Sequence, residues 1–155
     1  MNQPGAKSEL QKFLDPDYVD YLGDVTSTAE ATSRAIDGWA NTLEKAVIPI
    51  SPSSTTIASA KLAFKAAAVG MYASGAVFSL AVAAFAQELG SGMTGYVATP
   101  PPTLFVPSSS STVHADACGD MATQLIAWLA TGTATDGITT VNWAGLHLTT
   151  TGTLL

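Results

Sequence analysis

The chain holds one cysteine, Cys118. That excludes an internal disulfide framework and a four-cysteine zinc site. Lysine and arginine are absent after Lys65, and charged residues make up only 12% of the chain, about half the soluble average. No basic stripe exists, so direct binding of nucleic acid is not expected. The sequence also lacks an N-x-[ST] sequon, a lipidation pattern and a G-x-S-x-G elbow. Residues 1–10 are polar, with no apolar stretch of the kind a cleaved secretory signal needs.

Apolar character fills the space left by charge. Hydrophobic residues are 47% of the 155, and mean hydropathy is +0.29. A disordered acidic chain is thereby excluded. The length predicts a single domain, 1–155, able to bury a core without disulfides or metal. Within it we expect an N-terminal arm or helix (1–24), a helical body (25–131) and an extended C-terminal arm (132–155). Net charge is −6. All six basic residues and eight of the twelve acids lie in the first 65 positions. The remainder carries only Glu88, Asp116, Asp120 and Asp136, with His114 and His147. So little charge means that this half is covered by other chains or that part of it sits in lipid.

Periodicity predicts an all-α chain: a long Ala-rich central helix, two or three supporting helices, a Pro-rich loop and a Thr-rich arm. Leu10, Phe13, Leu14, Tyr18, Tyr21 and Leu22 suggest helical structure over 7–22, divided near Pro16. Ser27 and Glu30 form an S-x-x-E capping box ahead of a helix over 28–47, with Ile36, Trp39, Leu43 and Val47 on one stripe. Pro49 and Pro52 end it. Over 54–89, Ile57, Phe64, Met71, Phe78 and Phe85 recur every seven residues, and small residues follow three positions after the first four. One continuous helix here would span roughly 50 Å, with a seam that fixes its register on a partner helix. Gly70 and Gly75 mark a bend or a close crossing. Residues 90–112 form the loop, in which Leu104, Phe105 and Val106 read as an anchor among prolines. A last helix over 113–131 places Val113, Ala117, Met121, Leu125 and Trp128 on its apolar side. The eight threonines of 132–155 favour one or two short strands.

Each constellation that might carry chemistry has a plainer structural explanation. Gly90-Ser91-Gly92-Met93-Thr94-Gly95 matches G-x-G-x-x-G, but follows a helix and precedes prolines, the reverse of a dinucleotide site. His114 and Cys118 sit at i,i+4 as metal ligands can, with Asp116 between them, but only His147 offers a further strong ligand. Asp15, Asp17, Asp20 and Asp24 read as a solvated acidic edge. No cofactor, metal or small-molecule substrate is expected, and no catalytic residue is assigned. Ala66–Ala86 is 21 uncharged residues, long enough to span a bilayer, but eleven are Ala or Gly. A small single-span membrane protein, holin-like or pore-forming, is therefore the alternative. A small hydrolase or metal enzyme ranks below it.

Ala35-Ile36-x-x-Trp39, the break at Pro49 before an Ala-rich helix, Gly92-Met93, Pro100-Pro101-Pro102, Trp128-x-x-x-Gly132 and Trp143 together resemble the small helical virion proteins of tailed bacteriophages. The resemblance spans roughly residues 30–143. It implies a non-enzymatic subunit present in many copies in the tail, baseplate, neck or capsid. Its partners would be copies of itself and other virion proteins. Its place would be the virion, assembled in the host bacterial cytoplasm. Trp39, Ile57, Phe64, Met71, Phe78, Phe85 and Trp128 are the candidate core or helix-interface residues. Leu104, Phe105 and Trp143 are the candidate arm anchors.

Overall fold

The computed structural model describes residues 1–48 and 54–145. The chain is mostly helical, with a small antiparallel sheet that the all-α class leaves out, two of whose three strands are the short strands expected in 132–155. Helix α1 (Gln3–Leu14) begins where the Asn2 side chain accepts the Gly5 N–H at 3.0 Å, with Pro4 in the first turn. It starts earlier and stops sooner than the expected 7–22. Asp15 Oδ1 accepts the Asp17 N–H at 3.1 Å, which turns the chain at Pro16, and Leu22–Asp24 form a single 3₁₀ turn.

Helix α2 (Thr28–Val47) opens on Ser27, whose Oγ accepts the Glu30 N–H at 3.2 Å. The Glu30 carboxylate reaches back to the backbone N–H and hydroxyl of Thr26, one residue beyond the N-cap that a reciprocal capping box would bond.

The long central helix is two helices. α3 (Ser54–Ala67) and α4 (Gly75–Ser91) form an antiparallel hairpin, in which the start of α3 meets the end of α4 at Thr56 and Gly92. The reversal uses Gly70 at φ +88°, a conformation that costs an L side chain roughly 1–2 kcal/mol. Folding back buries Ile57, Ala60 and Phe64 together with Ala81, Phe85 and Leu89. An unbroken helix would have to find that cover elsewhere. The seven-residue spacing survives within each helix, so Phe64 meets Phe78 edge-on at 6.4 Å. Met71 falls in the turn, half-buried. Lys61 bonds Asn41 and the Glu44 carboxylate, and Lys65 pairs with Asp37 at 2.6 Å, tying α3 to α2.

Helix α5 (His114–Leu129) packs on α1. The expected loop 90–112 contains a strand, β1 (Val97–Thr99), and the expected arm folds back as β2 (Thr133–Thr135) and β3 (Thr140–Asn142). The order is β1-β2-β3, antiparallel throughout, with Ala98 opposite Ala134 and Ala134 opposite Val141. Thr133, Thr135 and Thr140 therefore pair within their own chain. Asp136 closes the β2–β3 turn by accepting the Ile138 and Thr139 N–H groups at 2.9 and 2.8 Å, beside Gly137 at φ +93°. Trp143 follows β3 and is fully buried against Gly132, where a Cβ would lie 2.6 Å from the ring. The rest of the expected arm, 146–155 with His147, lies outside the described residues.

Candidate functional site

Six aromatic rings run through the centre of the molecule. Trp39 of α2 lies 4.7 Å from Phe78 of α4, measured between ring centroids, and 6.0 Å from Phe13 of α1. Phe105 sits 6.2 Å from Phe78, 6.5 Å from Trp39 and 5.7 Å from Trp128 of α5. Phe64 completes the set. Pairs at these separations each add about 0.5–1.5 kcal/mol beyond area burial. Phe105 thus anchors residues 103–107 as a strap across its own chain. The Trp128 Nε1–H donates to the Thr103 carbonyl at 2.8 Å and holds the strap's entry.

Exposure alternates along the strap. Phe105 points in, while Leu104 and Val106 point out, 51% and 68% exposed. Two uncharged hollows flank Phe78 and Pro107. One, of about 210 Å³, is lined by Leu14, Trp39, Met71, Tyr72, Phe78 and Pro107. The other, of about 540 Å³, is lined by Ala76, Phe78, Ser79, Leu104, Val106 and Pro107. Exposed Leu80 stands one helical turn beyond Ala76. Leu104, Val106 and Ala76 thus share one uncharged hollow, with Leu80 exposed further along α4.

Of the residues singled out in the sequence, Ile57, Phe64, Phe78, Phe85, Trp39, Phe105, Trp128 and Trp143 are buried within this chain. Leu104 and Val106 are exposed, and Met71 lines the smaller hollow. Tyr72 and Pro107 were missed. Tyr72 lay inside what looked like continuous helix. Only Gly70, two positions before it, signalled a reversal that would present it to solvent.

The polar constellations assemble little. His114 is exposed at the start of α5 while Cys118 is buried one turn on. Among the described residues no group of three or more His, Cys, Asp or Glu is placed to hold a metal ion. Burial, then the Asp15 carboxylate, push the Cys118 thiol up to about 11, with Lys7 opposing. The thiol stays protonated at neutral pH and is a poor nucleophile. The Gly90–Gly95 run leads from the end of α4 to β1, the reverse of the strand-to-helix order a dinucleotide turn needs. Asp136 is held below the usual carboxylate range by the Thr139 and Ile138 N–H groups. A charged hollow of about 350 Å³ is lined by Glu9, Lys12, Asp20, Arg34, Asp37 and Asn41, among others. Its cations are engaged: Lys12 with Glu9 at 2.7 Å and Arg34 with Glu30 at 3.3 Å.

Among the described residues no helix is long and apolar enough to cross a membrane. The stretch 66–86 is divided between the end of α3, the Gly70 turn and α4. Comparison with protein-family models, curated proteins and solved structures finds no match to this chain.

Proposed function

We propose that this chain is a non-enzymatic structural subunit of a large protein assembly, a virion component of a tailed bacteriophage. The observation that carries the assembly role is the uncharged surface of Leu104, Val106 and Ala76, with Leu80 further along α4, which lies open although the chain has a well-filled core beneath it. Copies of this chain are its partners. Burying such a face yields roughly 25 cal/mol per Å² of apolar surface, and the absence of Lys and Arg after Lys65 leaves no cation there to desolvate. The assignment to a phage particle rests on the sequence resemblance.

The test is light scattering after chromatography in detergent-free buffer. We expect a discrete oligomer for the native chain and a folded, smaller species for the Leu104→Asp/Val106→Asp double variant. A native chain that stays monomeric at high concentration overturns self-assembly. For the particle assignment, the chain should be found in density-banded phage particles from a producing strain. Its absence from them overturns that part.

A further inference from the structure

The smaller hollow has a setting that the larger one lacks. It is sized for about one large side chain, and its lining is wholly uncharged. At its α1 end, Leu14 runs directly into Asp15, Asp17, Asp20 and Asp24. Phe13 lines both this hollow and the charged one, which Asp20 also lines. Asp17, Asp20 and Asp24 are exposed, and none of them makes an ion pair among the described residues. Lys12 and Arg34, which line the charged hollow with Asp20, are held by Glu9 and Glu30. An apolar socket thus opens beside an uncompensated acidic loop.

We propose that this socket, between Leu14, Trp39, Tyr72, Phe78 and Pro107, docks a segment of a different protein that presents one large apolar side chain with lysine or arginine beside it. This rests on the reading of the chain as an assembly subunit and names the chemistry of one heterologous neighbour. The apolar side chain fills the socket and the basic flank meets the acidic loop. Charge complementarity of this kind sets partner choice and encounter rate. A second copy fits poorly. Four of its six cations, Lys12, Arg34, Lys61 and Lys65, are already paired. Of the other two, Lys7 lies along α5 against Gly119, which leaves Lys45.

Three labelled ten-residue peptides test this by fluorescence anisotropy at low and moderate salt. The first carries one phenylalanine between pairs of lysines. The second replaces lysine by glutamate, and the third replaces phenylalanine by serine. The first should bind on the order of tenfold tighter than either twin and weaken with salt. Tyr72→Ser should remove the phenylalanine preference. The exposed triple variant Asp17→Asn/Asp20→Asn/Asp24→Asn, whose changes touch no core residue, should remove the lysine preference. Equal binding of all three peptides, or unaltered binding by the triple variant, overturns the proposal. So does a native dimer that Tyr72→Ser dissociates, because a second copy would then own the socket. A monomer that binds the first peptide selectively keeps this inference while self-assembly fails. An oligomer indifferent to all three peptides does the reverse.

Discussion

Trp39 of α2 and Phe78 of α4 meet with ring centroids 4.7 Å apart and planes tilted by 59°, which joins the hairpin to the helix before it. Phe78 also touches Phe64 and Phe105, so one ring links α2, α3, α4 and the strap. Phe78→Ala should therefore cost about 3–5 kcal/mol in chemical denaturation, the usual range for a buried Phe. Phe78→Asp should leave no folded chain by circular dichroism, because a carboxylate would have to be buried among aromatic rings. A folded, monomeric Phe78→Asp protein would instead place this ring at a contact between chains.

The turn between α3 and α4 separates two glycines that a continuous helix would treat alike. Inside an unbroken helix, Gly→Ala at either position would stabilise by about 1 kcal/mol. In the hairpin, Gly70 has φ +88° and Gly75 begins α4 with open space where a Cβ would go. Gly75→Ala should stabilise by about 0.5 kcal/mol. Gly70→Ala should destabilise by about 1 kcal/mol. Opposite shifts in melting temperature confirm the reversal, and shifts of one sign refute it.

Cys118 makes stability depend on alkaline pH. Burial raises its folded pKa from 9.0 to about 11. Below pH 9 the thiol is protonated in both states and contributes no pH dependence. Between pH 9 and 11 the unfolded chain releases the proton first, so stability falls as pH rises, by on the order of 2 kcal/mol. Cys118→Ala should flatten that part of the profile and leave the tyrosine contribution. An unchanged slope between pH 9 and 11 would show that the thiol ionises as readily folded as unfolded.

Helix α2 was readable because its signals are local: Ser27 at the cap, Glu30 in the first turn, Trp39 and Leu43 on one stripe. The Phe64, Phe78 and Phe85 pattern was equally plain, yet its meaning depended on Gly70, a single residue whose φ no periodicity reports. A seven-residue spacing fits a helix packed on another chain and two helices packed on each other equally well. The sheet was legible in part: the threonine-rich stretch marked the two strands β2 and β3, but β1 lay unread in the expected loop. β1, β2 and β3 are three residues each, and Val97 finds Thr135 across the whole of α5. The exposed apolar surface was legible only at Leu104–Val106, because Ala76 joins their hollow, and Tyr72 the smaller one, through the fold.

Leu104 and Phe105 are adjacent and chemically similar, but they face opposite sides of the strap. Phe105 is 2% exposed and touches Trp39, Phe78 and Trp128, whereas Leu104 is half-exposed beside the larger hollow. Phe105→Ala should cost about 3–5 kcal/mol and release the strap. With the ring gone, the Trp128 Nε1–H bond to the Thr103 carbonyl loses its support, so tryptophan fluorescence should shift to the red. Leu104→Ala should change stability by no more than about 0.5 kcal/mol in a dilute, dissociated sample. At concentrations where the chain assembles, the order should reverse in the assembly assay, with Leu104→Ala weakening association although the fold is intact. Equal losses of stability for the two variants would mean that Leu104, like its neighbour, belongs to the core.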